Sequence, residues 1–223
     1  MASSEKIIKN VFFDLDGTLI DSSYDIKRIL LKSLNICGYT GNGITNRIKI
    51  GPPLEEMVKT AVPGIEDGQI KKVVTLYRQD YKSDDLKMTI PYQGITELIE
   101  TLNNKGINVF IATYKPKNMS VRILERHFSG LYKDIATPTE IVNFSEGKTK
   151  TDILNFLLSK WGINAGETIM IGDSGSDINC AKEAGMRAIA VLYGFGAREE
   201  FINADDKAET VEDLRLKIKN LIK

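Results

Sequence analysis

A short apolar stretch leads straight into two carboxylates and a glycine. Residues Ile7–Phe13 carry Ile7, Ile8, Val11, Phe12 and Phe13, with Lys9 and Asn10 between them. Asp14-Leu15-Asp16-Gly17-Thr18 follows at once. Such a run fits a mostly buried central strand of an α/β sheet. Acids at its carboxyl end fall where open α/β sheets place their ligands. Residues two apart in an extended chain point to one face, so both carboxylates can address one crevice. Gly17 then tolerates the dihedrals of a sharp turn.

The texture changes from Ser22 to about Met88. Amphipathic patterns at Ile26–Leu34, Leu54–Ala61 and Ile70–Tyr81 are broken by Gly41-Asn42-Gly43, Gly51-Pro52-Pro53 and Pro63-Gly64. Strand-like runs are scarce, which predicts a compact helical insert. After Pro91 strands and helices alternate. Strands are predicted at Ile107–Ala112, Ile135–Ala136, Thr168–Ile171 and Arg187–Val191. Helices are predicted at Gly94–Asn104, Lys117–Phe128, Asp152–Trp161, Ile178–Ala184 and Val211–Lys223. That alternation implies a largely parallel sheet covered on both faces. The expected fold class is α/β: a Rossmann-like parallel sheet core, 1–20 with 91–223, and an inserted helical domain, 21–90.

Thirty basic and thirty acidic residues balance to zero net charge, so no broad field favours nucleic acid or an anionic membrane. No apolar run reaches the roughly 18 residues of a membrane span. The polar first ten residues lack the apolar core of a signal peptide. Cys37 and Cys180 form no CxxC pair, which argues against a structural zinc site or a disulfide framework. A cytoplasmic protein, monomeric or homodimeric, is expected.

Four groups of residues sit at element boundaries. Asp14 and Asp16 form the first. Thr113 follows a predicted strand and offers a hydroxyl and backbone N–H groups ahead of a helix, a suitable place for phosphate. Lys148 and Lys150 precede the Asp152 helix. Gly172-Asp173-Ser174-Gly175-Ser176-Asp177 places two more carboxylates after a strand. Each alone reads as a cap, a turn or a solvated side chain. If parallel strands align their carboxyl ends, however, all four meet in one crevice. Carboxylates converging there repel unless a cation joins them, and oxygen ligands suit Mg²⁺.

At these residues the chain resembles the haloacid dehalogenase-like hydrolases. Phe13-Asp14-Leu15-Asp16-Gly17-Thr18-Leu19 matches their first motif, Thr113 the second, a lysine the third, and Gly172-Asp173 through Asp177 the fourth. The helical insert looks like their cap domain. Ile50-Gly51-Pro52-Pro53-Leu54-Glu55, Pro91-Tyr92-Gln93-Gly94 and Tyr193-Gly194-Phe195-Gly196 look most like the phosphoglycolate phosphatase branch. The resemblance implies that Asp14 is a nucleophile forming an acyl phosphate and that Asp16 is the general acid and base. It implies Mg²⁺ held by Asp14, the Asp16 backbone carbonyl and Asp173, with Asp177 positioning metal waters or the lysine. Thr113 and a lysine bind the transferred phosphoryl group. This chain lacks the Lys-Pro of the third motif. Thr149-Lys150-Thr151-Asp152 fits the branch better and favours Lys150, with Lys148 the alternative.

Gly17, Thr18 and Tyr114 are candidate contacts to a small phosphorylated metabolite. In the insert, Gly51 with nearby Arg47 and Lys49 are candidates to cover the site, and solvated charges are the alternative for the two basic residues. An acid at Asp16 suits an oxygen leaving group, which needs a proton. A pyrophosphatase, 5′-nucleotidase or sugar-phosphate mutase fits the same fold. A receiver-type phospho-acceptor is argued against by the insert and by Asp16 two residues after Asp14. A non-catalytic binding protein is a further class. His127 is expected to cap or lie at the surface, Asp21 to cap a helix or act at a hinge, Gly194-Phe195-Gly196 to form a strand-to-loop turn with an approach to phosphate as the alternative, and Arg198-Glu199-Glu200 to be a solvated face.

Overall fold

The computed structural model describes residues 7–41, 43–141 and 148–222. Six strands form one sheet: β1 (Asn10–Phe13), β4 (Asn108–Ala112), β5 (Asp134–Ala136), β6 (Thr168–Gly172), β7 (Arg187–Val191) and β8 (Asp206–Ala208). The two-residue strands β2 (Ile20–Asp21) and β3 (Ile90–Pro91) form a ribbon of their own. The sheet order is β5-β4-β1-β6-β7-β8 and every pairing is parallel. Val11 of β1 is in register with Val109 on one side and Ile169 on the other. β1 is therefore central, as its apolar sequence requires.

Alternate residues of the strands face opposite sides. Phe12, Phe110, Met170 and Ala188 share one buried cluster with Ile153, Leu154 and Leu157 of α7 (Lys150–Trp161) and Ile178 and Ala181 of α8 (Gly175–Glu183). The Phe12 and Phe110 rings lie 5.0 Å apart. Val11, Phe13, Val109, Ile111, Ile169 and Ile171 point the other way and are equally buried. Helix α5 (Ile95–Asn104) packs on β4 and on α9 (Val211–Leu221), and α6 (Lys117–His127) follows β4.

The described chain up to Asp21 and from Pro91 onward forms one compact unit, and Ser22–Ile90 forms a second. The second holds α1 (Ser23–Ile36), α2 (Ile44–Arg47), α3 (Leu54–Ala61) and α4 (Asp67–Ser83). Within it α4 packs against α1 and α3, burying Ile29, Leu30, Val58, Val73 and Val74. Buried Asp25 accepts hydrogen bonds from Arg28 (2.8 Å), the Met88 N–H (3.0 Å) and the Thr89 hydroxyl (3.0 Å), which ties the end of the unit to its first helix. No described helix is long and apolar enough to cross a membrane.

Three boundaries differ from the sequence expectation in ways that bear on the site. Helix α8 begins at Gly175, three residues before Ile178, which takes Asp177 into its first turn. The central strand begins at Asn10, not Ile7. Helix α7 begins at Lys150, two residues before Asp152. Its cap is Thr149, whose hydroxyl accepts from the Thr151 N–H while the Asp152 carboxylate accepts from the Thr149 N–H at 2.9 Å. This reciprocal capping draws Lys150 into the first helical turn.

Candidate active site

Because the sheet is parallel, its strands end on one edge. Asp14 follows β1, Thr113 follows β4 and Asp173 follows β6. The Asp14 N–H still donates to the Ile171 carbonyl (2.9 Å), so its backbone is fixed by the sheet. Asp14, Asp173 and Asp177 are all buried, and one oxygen of each lies within 4.8 Å of the others.

Lys150 reaches this group from the first turn of α7. Its ammonium donates to Asp14 Oδ1 at 2.6 Å and also to Asp177 Oδ1. Its side chain is 3% exposed. Lys148 instead forms an exposed pair with Asp152 (3.2 Å). Asp177 is held from behind: its Oδ2 accepts from the Ser174 hydroxyl (2.6 Å) and N–H (3.0 Å), closing the capping box of α8. Asp173 accepts from the Thr18 hydroxyl (3.2 Å) and the Phe195 N–H (2.7 Å).

Burial pushes the Asp14 carboxyl up to about 7, against the pull of Lys150 and with a further push from the charge of Asp177. Burial, then the charges of Asp14 and Asp177, push Asp173 well above the usual carboxylate range. Burial opposes the charge on Lys150, but Asp14 and Asp177 outweigh it and hold the ammonium above its ordinary range. Three buried carboxylates against one ammonium leave an electrostatic deficit that a divalent cation relieves. The donors are all oxygens, the set that Mg²⁺ takes. The cluster therefore fits such an ion.

Close backbone approach shapes the same place. Gly17 has φ +80, and a Cβ there would overlap the Asp173 carboxylate. A Cβ at Gly194 would overlap Asp173 and the Gly17 carbonyl, and one at Gly196 would overlap the Asp173 backbone. The Gly194-Phe195-Gly196 segment follows β7 as the expected strand-to-loop turn, and that turn wraps Asp173. It donates to the side chain through Phe195 and to the backbone carbonyl through the Gly196 N–H (3.1 Å). Glu200, expected on a solvated face, accepts from the Gly175 N–H (3.0 Å) at the start of α8 and from the Ala197 N–H (3.0 Å).

Thr113 is buried, and its hydroxyl accepts from the Lys115 N–H (3.2 Å). Tyr114 is exposed, with the Lys150 ammonium 5.3 Å from its ring centroid. The Asp16 carboxylate stands apart from the three-acid cluster: both of its oxygens accept from Lys115 Nζ, at 2.9 and 3.1 Å. Lys115 escaped the sequence reading. Its one signal was a lysine two residues after Thr113, in the same connection between β4 and α6. Arg47 and Gly51 belong to the helical unit, where the Arg47 Nε donates to the Ala61 carbonyl (2.9 Å). His127 ends α6 beside the Phe128 ring, and Asp21 lies in β2.

Residues 11–191 match the family described as haloacid dehalogenase-like hydrolase. The chain belongs to this family. A phosphoglycolate phosphatase of Aliivibrio fischeri is 28% identical to this hydrolase over 218 residues, 92% of each chain. A 5′-nucleotidase of Pseudomonas aeruginosa is 30% identical over 198 residues, 86% of each chain. Among solved structures, a predicted phosphatase from Clostridium acetobutylicum superposes with a TM-score of 0.80 at 28% identity, covering 96% of this chain and 100% of the other. This hydrolase is a phosphatase acting on phosphoric monoesters, in the branch similar to phosphoglycolate phosphatases.

Proposed function

We propose that this phosphatase hydrolyses a small phosphomonoester of phosphoglycolate type through an aspartyl phosphate on Asp14. The observation that carries the reading is the buried cluster of Asp14, Asp173 and Asp177 with Lys150 bonded to two of them. A carboxylate oxygen of Asp14 attacks phosphorus, and the bond from phosphorus to the alcohol oxygen breaks. Asp16 gives its proton to that leaving oxygen. Water then attacks the phosphoryl group of the aspartyl phosphate and passes a proton to Asp16, freeing phosphate and the Asp14 carboxylate. Lys150 and Thr113 hold phosphoryl oxygens where negative charge develops, with Gly17, Thr18 and Tyr114 as neighbouring contacts. Asp14, the Asp16 backbone carbonyl and Asp173 would hold Mg²⁺, with Asp177 behind them. When bound, that ion supplies positive charge that lets a phosphate dianion approach the carboxylates.

These residues address the phosphoryl group alone. We assign choice among esters to the helical unit, the proposed cap, with Arg47 and Gly51 as its substrate contacts. A positive side chain such as Arg47 suits a carboxylated ester. The similarity to a 5′-nucleotidase supports nucleoside monophosphates as the second reading.

Phosphate release from a panel of small esters, nucleotides and pyrophosphate, with Mg²⁺ and with EDTA, tests both readings. Metal-dependent release centred on phosphoglycolate is expected. Release centred on nucleotides selects the second reading. No release from any ester, or full activity in Asp14→Asn, overturns the mechanism.

A further inference from the structure

Lys115 is a second buried lysine beside the acids, and the chemistry above gives it no task. Its side chain is 3% exposed, while that of its partner Asp16 is 24% exposed. The lysine backbone is fixed on three sides. Its N–H donates to Thr113 Oγ1 (3.2 Å), its carbonyl accepts from the buried Ser120 hydroxyl (3.2 Å), and Pro116 caps α6 immediately after it. The ammonium therefore projects from a rigid β4–α6 turn. Asp16, by contrast, sits on the turn made by Gly17, and its carboxylate is more exposed than those of Asp14 and Asp177. A lone aspartate side chain there samples several rotamers. Contact of Lys115 Nζ with both carboxylate oxygens selects one of them.

Lys115 is not needed to neutralise the nucleophile, because Lys150 already bonds Asp14 and Asp177. Its own ammonium meets both oxygens of Asp16. We propose that Lys115 is the positioning residue for Asp16, fixing the carboxylate in the orientation from which it exchanges a proton with the leaving oxygen. The inference rests on the reading of Asp16 as general acid and base. It also ties the Thr113-x-Lys115 segment to two tasks: a hydroxyl for the phosphoryl group and a cation for the proton carrier.

A leaving-group comparison separates positioning from a structural role. The value of kcat/KM reports steps up to loss of the alcohol. An alkyl phosphate needs a proton on its leaving oxygen, whereas p-nitrophenyl phosphate expels a stabilised phenolate and needs little help. Both are measured with wild type, D16N, K115M and K115R. D16N is expected to lose about 10²–10⁴-fold on the alkyl ester and far less on the nitrophenyl ester. K115M is expected to share that selectivity, with an alkyl-specific loss of roughly tenfold to a hundredfold, a part of the same acid-catalysis factor. K115R, which keeps a cation able to meet both oxygens, restores most of the ratio. K115Q gives the same comparison if K115M does not fold. Equal losses on both esters in the Lys115 variants, with D16N selective, overturn this inference alone. Equal losses in D16N overturn the acid–base reading of Asp16 and this inference with it.

Discussion

Lys150 and Lys148 lie two residues apart and face opposite energetics. Removing the Lys150 ammonium leaves Asp14 and Asp177 buried without their cation. Breaking a buried pair in this way costs about 3–5 kcal/mol. K150M is therefore expected to melt well below wild type in metal-free buffer and to lose turnover. K148M breaks an exposed i,i+4 pair with Asp152, and its stability is expected to change by less than about 0.5 kcal/mol. Thermal melts and phosphate release on the two variants check this. A silent K150M with an inactive K148M reverses the assignment. Sequence alone favoured Lys150 but kept Lys148 as the alternative because helix phase decides between them, and that phase is set by the Thr149–Asp152 capping box. Asp14, Asp16, Thr113 and Asp173 were legible because each follows an apolar strand. Lys115 was not, because lysine is rarely buried and its partner Asp16 lies 99 residues away on a neighbouring strand's turn.

Elements show the same contrast between strong and absent patterns. Strand β7 occupies Arg187–Val191 and helix α3 Leu54–Ala61, as their periodicity predicts. Strand β8, Asp206–Ala208, is three residues long with two of them exposed, so no alternation marks it. It closes one edge of the sheet, where short polar strands are favoured. Helix α2 has four residues, too few to show a period. Caps carry measurable stability. In the 3₁₀ turn Pro138–Glu140, Glu140 accepts from the Thr137 N–H (2.8 Å) and hydroxyl (2.8 Å) and pairs with Lys117. Burial alone raises the Glu140 carboxyl, yet Lys117 and Thr137 outweigh it and hold it below its ordinary 4.5. A folded-state value below the unfolded one adds stability at pH above 4.5, and that stability is lost as pH falls through the folded value. Melting temperature is thus expected to fall more steeply on acidification below 4.5 in wild type than in E140Q. Parallel curves for the two proteins remove this contribution.

At the scale of the whole molecule, sheet order turns a scattered set of residues into one site. Asp14, Thr113, Lys150 and Asp173 are spread over 160 residues, and β1 lying between β4 and β6 brings the first, second and last to one edge. Zero net charge supplies no general attraction for a phosphate dianion, so local charge must do so. That local charge is adverse without a cation. Asp173 is pushed well above the carboxylate range by burial and by Asp14 and Asp177, so its charged form opposes folding at neutral pH. Mg²⁺ held there as proposed would favour the folded chain over the unfolded one, by about 2.7 kcal/mol at a hundredfold excess over Kd. For a chain of this size that corresponds to a rise in Tm of about 5–10 °C. Asp173→Asn separates the two effects. It removes one repelling charge, and an amide oxygen there can still accept from the Phe195 N–H that binds the carboxylate in wild type. In EDTA the variant is expected to melt at or above wild type. With saturating Mg²⁺ the order reverses, because wild type gains the shift and the variant does not. Melting curves of both proteins in the two buffers test this without reference to turnover. A wild type unmoved by Mg²⁺ takes the ion out of the site, and an equal Mg²⁺ shift in both proteins takes Asp173 out of its ligand set.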